Sequence, residues 1–309
     1  MKKLSNISHN FFCSSRGIFL LLLLCFMQLH PRASASEIFA DSHIHYNWDH
    51  REETSIEEVV NILKQHNVGL TIVTSTPSEL ALELREQGGD WIIPFFSPYI
   101  HELGKRNWYM DEQVVKNAEQ GLKSGQYFGI GEVHFMSGFR PRTNNAIFQK
   151  LLNLAEQYKV PMMIHIDSGG EQAFIKLCSD NPNIKMIFAH AGGNLRPGHI
   201  EKILLKCNNV WIDFAARDPW RYGGISGEDL TLLPAWKTLV LNYPERFITG
   251  TDPVWNVTRM STWDSGDKGW THYQQLYDYH WTWLNDLPAD VRRKIAWENT
   301  QKLLKKMRQ

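Results

Sequence analysis

The sequence predicts a single α/β domain of the (β/α)8 TIM-barrel class. Three observations carry that expectation. Eight short apolar runs rich in β-branched and aromatic residues recur along the chain. Amphipathic segments of about ten to fifteen residues separate them, which is the alternation of a parallel sheet with crossover helices. The stretch from Ser36 to Gln309 is longer than a typical domain but matches the size of one barrel.

The elements follow in chain order. Lys2, Lys3 and Arg16 precede the apolar run Ile18 to Met27, which leads to Ala33-Ser34-Ala35. Such a run is about half the length that a membrane helix needs, and the small residues suit a signal peptidase, so residues 1–35 read as a signal peptide cleaved after Ala35. An uncleaved anchor is the alternative. Residues 36–309 then form one barrel domain, with strands expected at Ile38 to Tyr46, Gly69 to Ser75, Trp91 to Tyr99, Tyr127 to Phe135, Val160 to Ile166, Ile184 to His190, Val210 to Ala215 and Phe247 to Asp252. Helical patterns lie between them at Ser55 to Gln65, Asp111 to Lys123, Ala146 to Tyr158, Glu171 to Cys178, His199 to Lys206 and Leu230 to Leu241. After the last strand, Trp255 to Asp286 is crowded with Trp, Tyr and Asp, and reads as a long loop and helix over the barrel mouth.

Charge and cysteine content narrow the function classes. Removing the leader takes two Lys and two Arg from balanced totals of 33 basic and 33 acidic residues, leaving 29 against 33 and a formal charge of −4. No basic stripe points to nucleic acid as a partner. The partners expected are a small-molecule substrate, no stable membrane anchor once the leader is gone and, as an open alternative, a second copy of the chain. Export places Cys178 and Cys207 where a disulfide can persist; one bridge and two buried thiols are equally compatible with their spacing.

Chemistry is expected at the C-terminal strand tips. In Ala40-Asp41-Ser42-His43-Ile44-His45, the period of two sends both imidazoles to one face of the first strand, where they can reach one metal ion. Strand four ends in Glu132 and His134, strand five in His165, strand six in His190 and strand eight in Asp252. A single histidine at a strand end is commonly a core residue, but this many in register is not a coincidence of composition.

The ordered set His43, His45, Glu132, His165, His190 and Asp252 resembles the amidohydrolase superfamily, in particular its amidohydrolase-related branch. Phe188 to Gly193 is similar to that branch's strand-six turn, Tyr243 to Asp252 to its strand-eight segment, and Glu298-Asn299-Thr300 with Leu303-Leu304 to its closing helix. The resemblance implies a divalent metal held by His43, His45, His165 and Asp252, with zinc favoured, manganese, iron or cobalt also suited, and one ion favoured over two. Glu132 would bridge two ions in a TatD-like arrangement or serve as an acid behind a single one. His190 would sit beside the metal or hold a second ion, and Asp252 would also move the proton of an activated water.

The function implied is an exported, periplasmic or secreted, metal-dependent hydrolase of a small-molecule amide, lactone or ester. A metal-dependent decarboxylase of a small carboxylic acid is the alternative, followed by a TatD-like phosphodiesterase and a non-catalytic binding protein. Arg140 and Arg142, on the loop after strand four, could grip a substrate carboxylate or phosphate, or be solvated loop charges; His134 is either a substrate contact or a surface residue. Trp255, Trp263 and Trp270 could wall an apolar substrate, although packing is the commoner role of any one of them.

Overall fold

Alternating side chains decide how the strands are used. On the fifth strand Met163 belongs to the apolar filling of the barrel and His165, two residues on, stands at its mouth. In the computed structural model, residues 37–101, 104–135, 141–166, 170–254 and 269–305 are described. The expected leader, Arg140, Trp255 and Trp263 lie outside them.

The strands are β1 (Phe39–His45), β2 (Val68–Thr74), β3 (Ile92–Pro94), β4 (Ile130–Phe135), β5 (Met162–Ile166), β6 (Met186–Phe188), β7 (Val210–Asp213) and β8 (Phe247–Ile248). All pair in parallel, in the orders β1-β2-β3 and β4-β5-β6-β7-β8. Backbone hydrogen bonds cross both gaps between these sheets. At the first, Phe96 N–H donates to Gly129 O (2.8 Å) and Gly131 N–H to Phe96 O (2.9 Å). At the second, Ser42 N–H donates to Thr249 O (2.9 Å) and Asp252 N–H to His43 O (2.7 Å). The expected barrel is therefore present, with two of its joints made by a few backbone hydrogen bonds rather than by long ladders.

That explains why β3 and β8 are shorter than the sequence suggests. Pro94 has no N–H to extend the ladder, and after one more bond from Phe95 to Val73 the chain turns from β2 to β4. Beyond Ile248 the chain pairs with β1 instead of β7. Gly250 permits this approach, because a Cβ there would meet His43 Cβ at 2.6 Å.

Helices α1 (Ile56–Gln65), α2 (Glu79–Gly88), α3 (Glu112–Lys123), α4 (Ala146–Tyr158), α5 (Glu171–Asp180), α6 (Pro197–Lys206), α7 (Pro234–Asn242) and α8 (Tyr273–Asn285) follow the strands in turn. Among the described residues none is long and apolar enough to cross a membrane. Ser55 caps α1 reciprocally with Glu58. The unforeseen α2 carries only Leu80, Ala81 and Leu84 as buried positions in an otherwise charged segment. Two short helices, α9 (Ala289–Arg293) and α10 (Asn299–Leu304), close the chain, and Leu303 and Leu304 join the apolar filling formed by Ala40, Ile72, Phe95, Met163 and Ile248. Cys178 on α5 and Cys207 at the end of α6 form a disulfide, with Cα atoms 5.9 Å apart, which resolves the alternative left by their spacing.

Candidate metal centre

The mouth of the barrel gathers five imidazoles around one carboxylate. Glu132 Oε1 accepts from His165 Nδ1 (2.8 Å) and lies 3.1 Å from His190 Nε2. Its Oε2 lies 3.3 Å from His45 and His134 and 3.5 Å from His43, each measured to Nε2. All of these side chains are buried. Burial disfavours the charge on Glu132, yet the surrounding His134, His43 and His165 hold its pKa well below the ordinary value.

Partners behind the β1 pair fix the tautomer of His43 and anchor the ring of His45. His43 Nδ1 gives its hydrogen to Asp213 Oδ2 at 2.6 Å, and His45 Nδ1 meets the Thr74 hydroxyl at 2.9 Å. A neutral His43 then carries its lone pair on Nε2, which faces His45 Nε2 at 3.1 Å. Asp252 Oδ1 completes the group 3.5 Å from His45 Nε2, and it is buried without a hydrogen-bond partner. Acceptor atoms so close together repel unless something positive lies among them. For a proton this shows at His43: burial opposes its charge, but Glu132 and Asp213 raise its pKa well above the ordinary value. Burial instead lowers that of His45, as an imidazole metal ligand requires. The orphaned carboxylate oxygen and converging imidazoles fit a divalent cation, with the carboxylate-to-histidine contact behind the ligand that such sites use.

Candidate ligand atoms fall within 4.8 Å of one another in three sets: His43, His45 and Asp252; Glu132, His134 and His165; and His43, His190 and Asp213. All the barrel-tip residues expected from sequence therefore meet, with His165 on the Glu132 side rather than next to Asp252. His190 stacks on His43 at 4.9 Å, donates Nδ1–H to Ala215 O at 3.0 Å and turns Nε2 toward Glu132. Arg142 is exposed, and its carbonyl accepts the Asn145 N–H before α4. Trp270 is a packing residue: its indole N–H bonds His45 O at 3.0 Å and its ring stacks on Tyr273.

Two buried arginines hold the turns that deliver His190 and Asp252. His190 (φ 55°), Ala191 (φ 46°) and Asp252 (φ 48°) all have the left-handed backbone that L-residues disfavour. Arg217 donates to the carbonyls of His190, Ala191 and Leu195. Arg221 pairs with Asp218 at 2.6 Å and donates to the carbonyls of Thr251 and Asp252. Burial raises the Asp252 pKa, but His43, His190, His45 and Arg221 outweigh it and hold the carboxylate ionised. Sequence reading did not find Asp213, Tyr99, Thr74 or Arg221. Of these only Asp213 carried a usable signal, as an acid ending the apolar run Val210–Asp213.

Residues 104–306 match the family model described as Amidohydrolase. The chain belongs to the amidohydrolase family. Comparison with curated proteins gives no match. Solved structures with the same fold include the TatD homologue YJJV from Escherichia coli (TM-score 0.60, 16% identity, 86% of this chain and 98% of that one). Another is 2,6-dihydroxybenzoate decarboxylase in complex with 2,6-dihydroxybenzoate (0.55, 11%, 87% and 99%). A third is an amidohydrolase from Burkholderia multivorans with bound zinc (0.54, 13%, 87% and 99%). At these identities the likeness extends to the barrel; for a family member, the site must argue its own chemistry.

Proposed function

We propose that the chain is an exported hydrolase that uses a divalent metal, zinc by preference, on an amide, lactone or ester bond of a small molecule. One observation carries this reading: His43 Nε2, His45 Nε2, Glu132 Oε2 and Asp252 Oδ1, all atoms that can ligate a cation, converge in a buried group at the mouth of the barrel. His43, His45 and Asp252 would hold the ion, with Glu132 and His165 against it. A bound divalent ion supplies a Lewis acid for a carbonyl oxygen and for water. The residues do the rest. Asp252, ionised and held by Arg221, accepts the proton of the attacking water and returns it to the leaving nitrogen or oxygen. His190, its Nδ1–H given to Ala215 O, turns the Nε2 lone pair inward to accept from and orient the attacking water. The disulfide suits an oxidising compartment, in keeping with the composition of residues 1–35.

The purified protein, loaded with zinc or manganese, should hydrolyse a member of a panel of amides, lactones and esters, and lose that turnover on chelation. The same donor set suits decarboxylation, the named reaction of one fold neighbour. Carbon dioxide from a carboxylic acid without any hydrolysis would replace the hydrolase with that reading. Full metal loading with no turnover of either kind would leave a binding protein.

A further inference from the structure

The far flank of Glu132 is wired by Tyr99, a buried residue on the segment after β3. Its hydroxyl oxygen accepts the backbone N–H of His134 at 2.9 Å and lies 2.6 Å from His134 Nδ1. A backbone N–H can only donate, so it occupies an acceptor direction of the phenol oxygen and leaves the phenol's one hydrogen free to be donated to Nδ1. A neutral imidazole that accepts at Nδ1 carries its hydrogen on Nε2. That Nε2 lies 3.3 Å from Glu132 Oε2, an acceptor suited to take it. The ring is held in this setting by its stack on His165, 4.5 Å away, its cross-strand partner in the β4–β5 register.

A nitrogen that carries a hydrogen cannot ligate a cation. We propose that Tyr99 is a positioning residue that holds His134 as an Nε2–H donor to Glu132, so that Glu132, His134 and His165 orient the carboxylate beside one ion and do not form a second metal site. Only the statement about the ion rests on the metal-dependent reading above; the tautomer stands on the hydrogen bonds alone.

The test is a long-range 1H–15N correlation on full-length chain labelled with 15N-histidine, recorded metal-free and after addition of zinc chloride, with His134 assigned through His134→Gln. His134 should carry its hydrogen on Nε2 in both states while His43 and His45 shift on zinc addition, and Tyr99→Phe should give a mixture of tautomers. A hydrogen on Nδ1 in the wild type, loss of the Nε2 hydrogen when zinc is added, or an unchanged tautomer in Tyr99→Phe overturns the proposal. Zinc stoichiometry on the same samples separates the two claims. A chain that keeps the Nε2 hydrogen but binds no zinc defeats the metal reading alone; loss of a second zinc equivalent in His134→Gln defeats this one.

Discussion

The two flanks of Glu132 are built from the same residue types but differ in the groups that stand behind their rings. On the β1 side, Asp213 takes the Nδ1 hydrogen of His43, which leaves its Nε2 as an acceptor beside His45 Nε2, and His45 Nε2 in turn lies next to Asp252 and Glu132. On the β4 and β5 side, Tyr99 reaches Nδ1 of His134, and His165 spends its own Nδ1 on Glu132. The first flank gathers lone pairs and attracts a cation; the second points N–H groups at a carboxylate. What separates a metal ligand from a bracing residue here is the atom behind the ring, not the ring.

Breaking the first flank should have the largest effects. Asp252→Asn keeps the shape and removes the base, and turnover of whichever substrate the panel identifies should fall about 10²- to 10⁴-fold in steady-state assays. Near-normal turnover with unchanged metal content would remove Asp252 from proton transfer. Asp213→Asn leaves His43 in place but deprives its Nδ1 hydrogen of an ionised acceptor. Zinc affinity, measured by competition with a chromophoric chelator, should weaken about 10- to 100-fold. The equivalent change behind His45, Thr74→Val, removes only a neutral hydroxyl and should weaken binding less.

The disulfide lies outside both flanks and serves as a control. It closes a segment with a sequence separation of 29 residues between α5 and α6, so Cys178→Ser with Cys207→Ser should cost about 3–4 kcal/mol in denaturant unfolding while zinc affinity stays unchanged.

The smallest effect concerns pH. Burial works against a charge on His43, but Glu132 and Asp213 raise its folded pKa well above 6.5. In the metal-free chain its contribution to stability is therefore present below that ordinary value and lost as pH rises through the raised one. Zinc needs the neutral ring, so the rise in Tm on zinc addition should be greater at roughly pH 8 than at pH 6. A constant or reversed difference would mean that His43 is not the ligand that must deprotonate.

The legible part of this centre is the part that obeys strand period. His43 and His45 on β1, Glu132 on β4 and His165 on β5 each stand toward a strand end, Asp252 follows in the turn after β8, and their order is visible in the sequence. Of the partners behind them only Asp213 leaves a trace in the sequence. Thr74 and Tyr99 are ordinary residues of apolar segments, and nothing in their sequence context says which imidazole nitrogen they will meet. Arg221 looked like any loop arginine until its guanidinium closed on Asp218 and the Thr251 and Asp252 carbonyls. In the fold, the apolar residues of α2 are bunched at Leu80, Ala81, Leu82 and Leu84 and give no repeating helical stripe, and β3 and β8 are shorter than their apolar runs because the residues at those joints bond to a different neighbour.

The most direct test of the central claim is the metal content of the purified protein by elemental analysis, for the wild type and for the His43→Ala, His45→Ala double variant. The wiring of the two flanks predicts about one divalent ion per chain in the wild type and almost none in the double variant. No metal in the wild type after reloading with zinc or manganese, or an ion that the double variant retains, would contradict it.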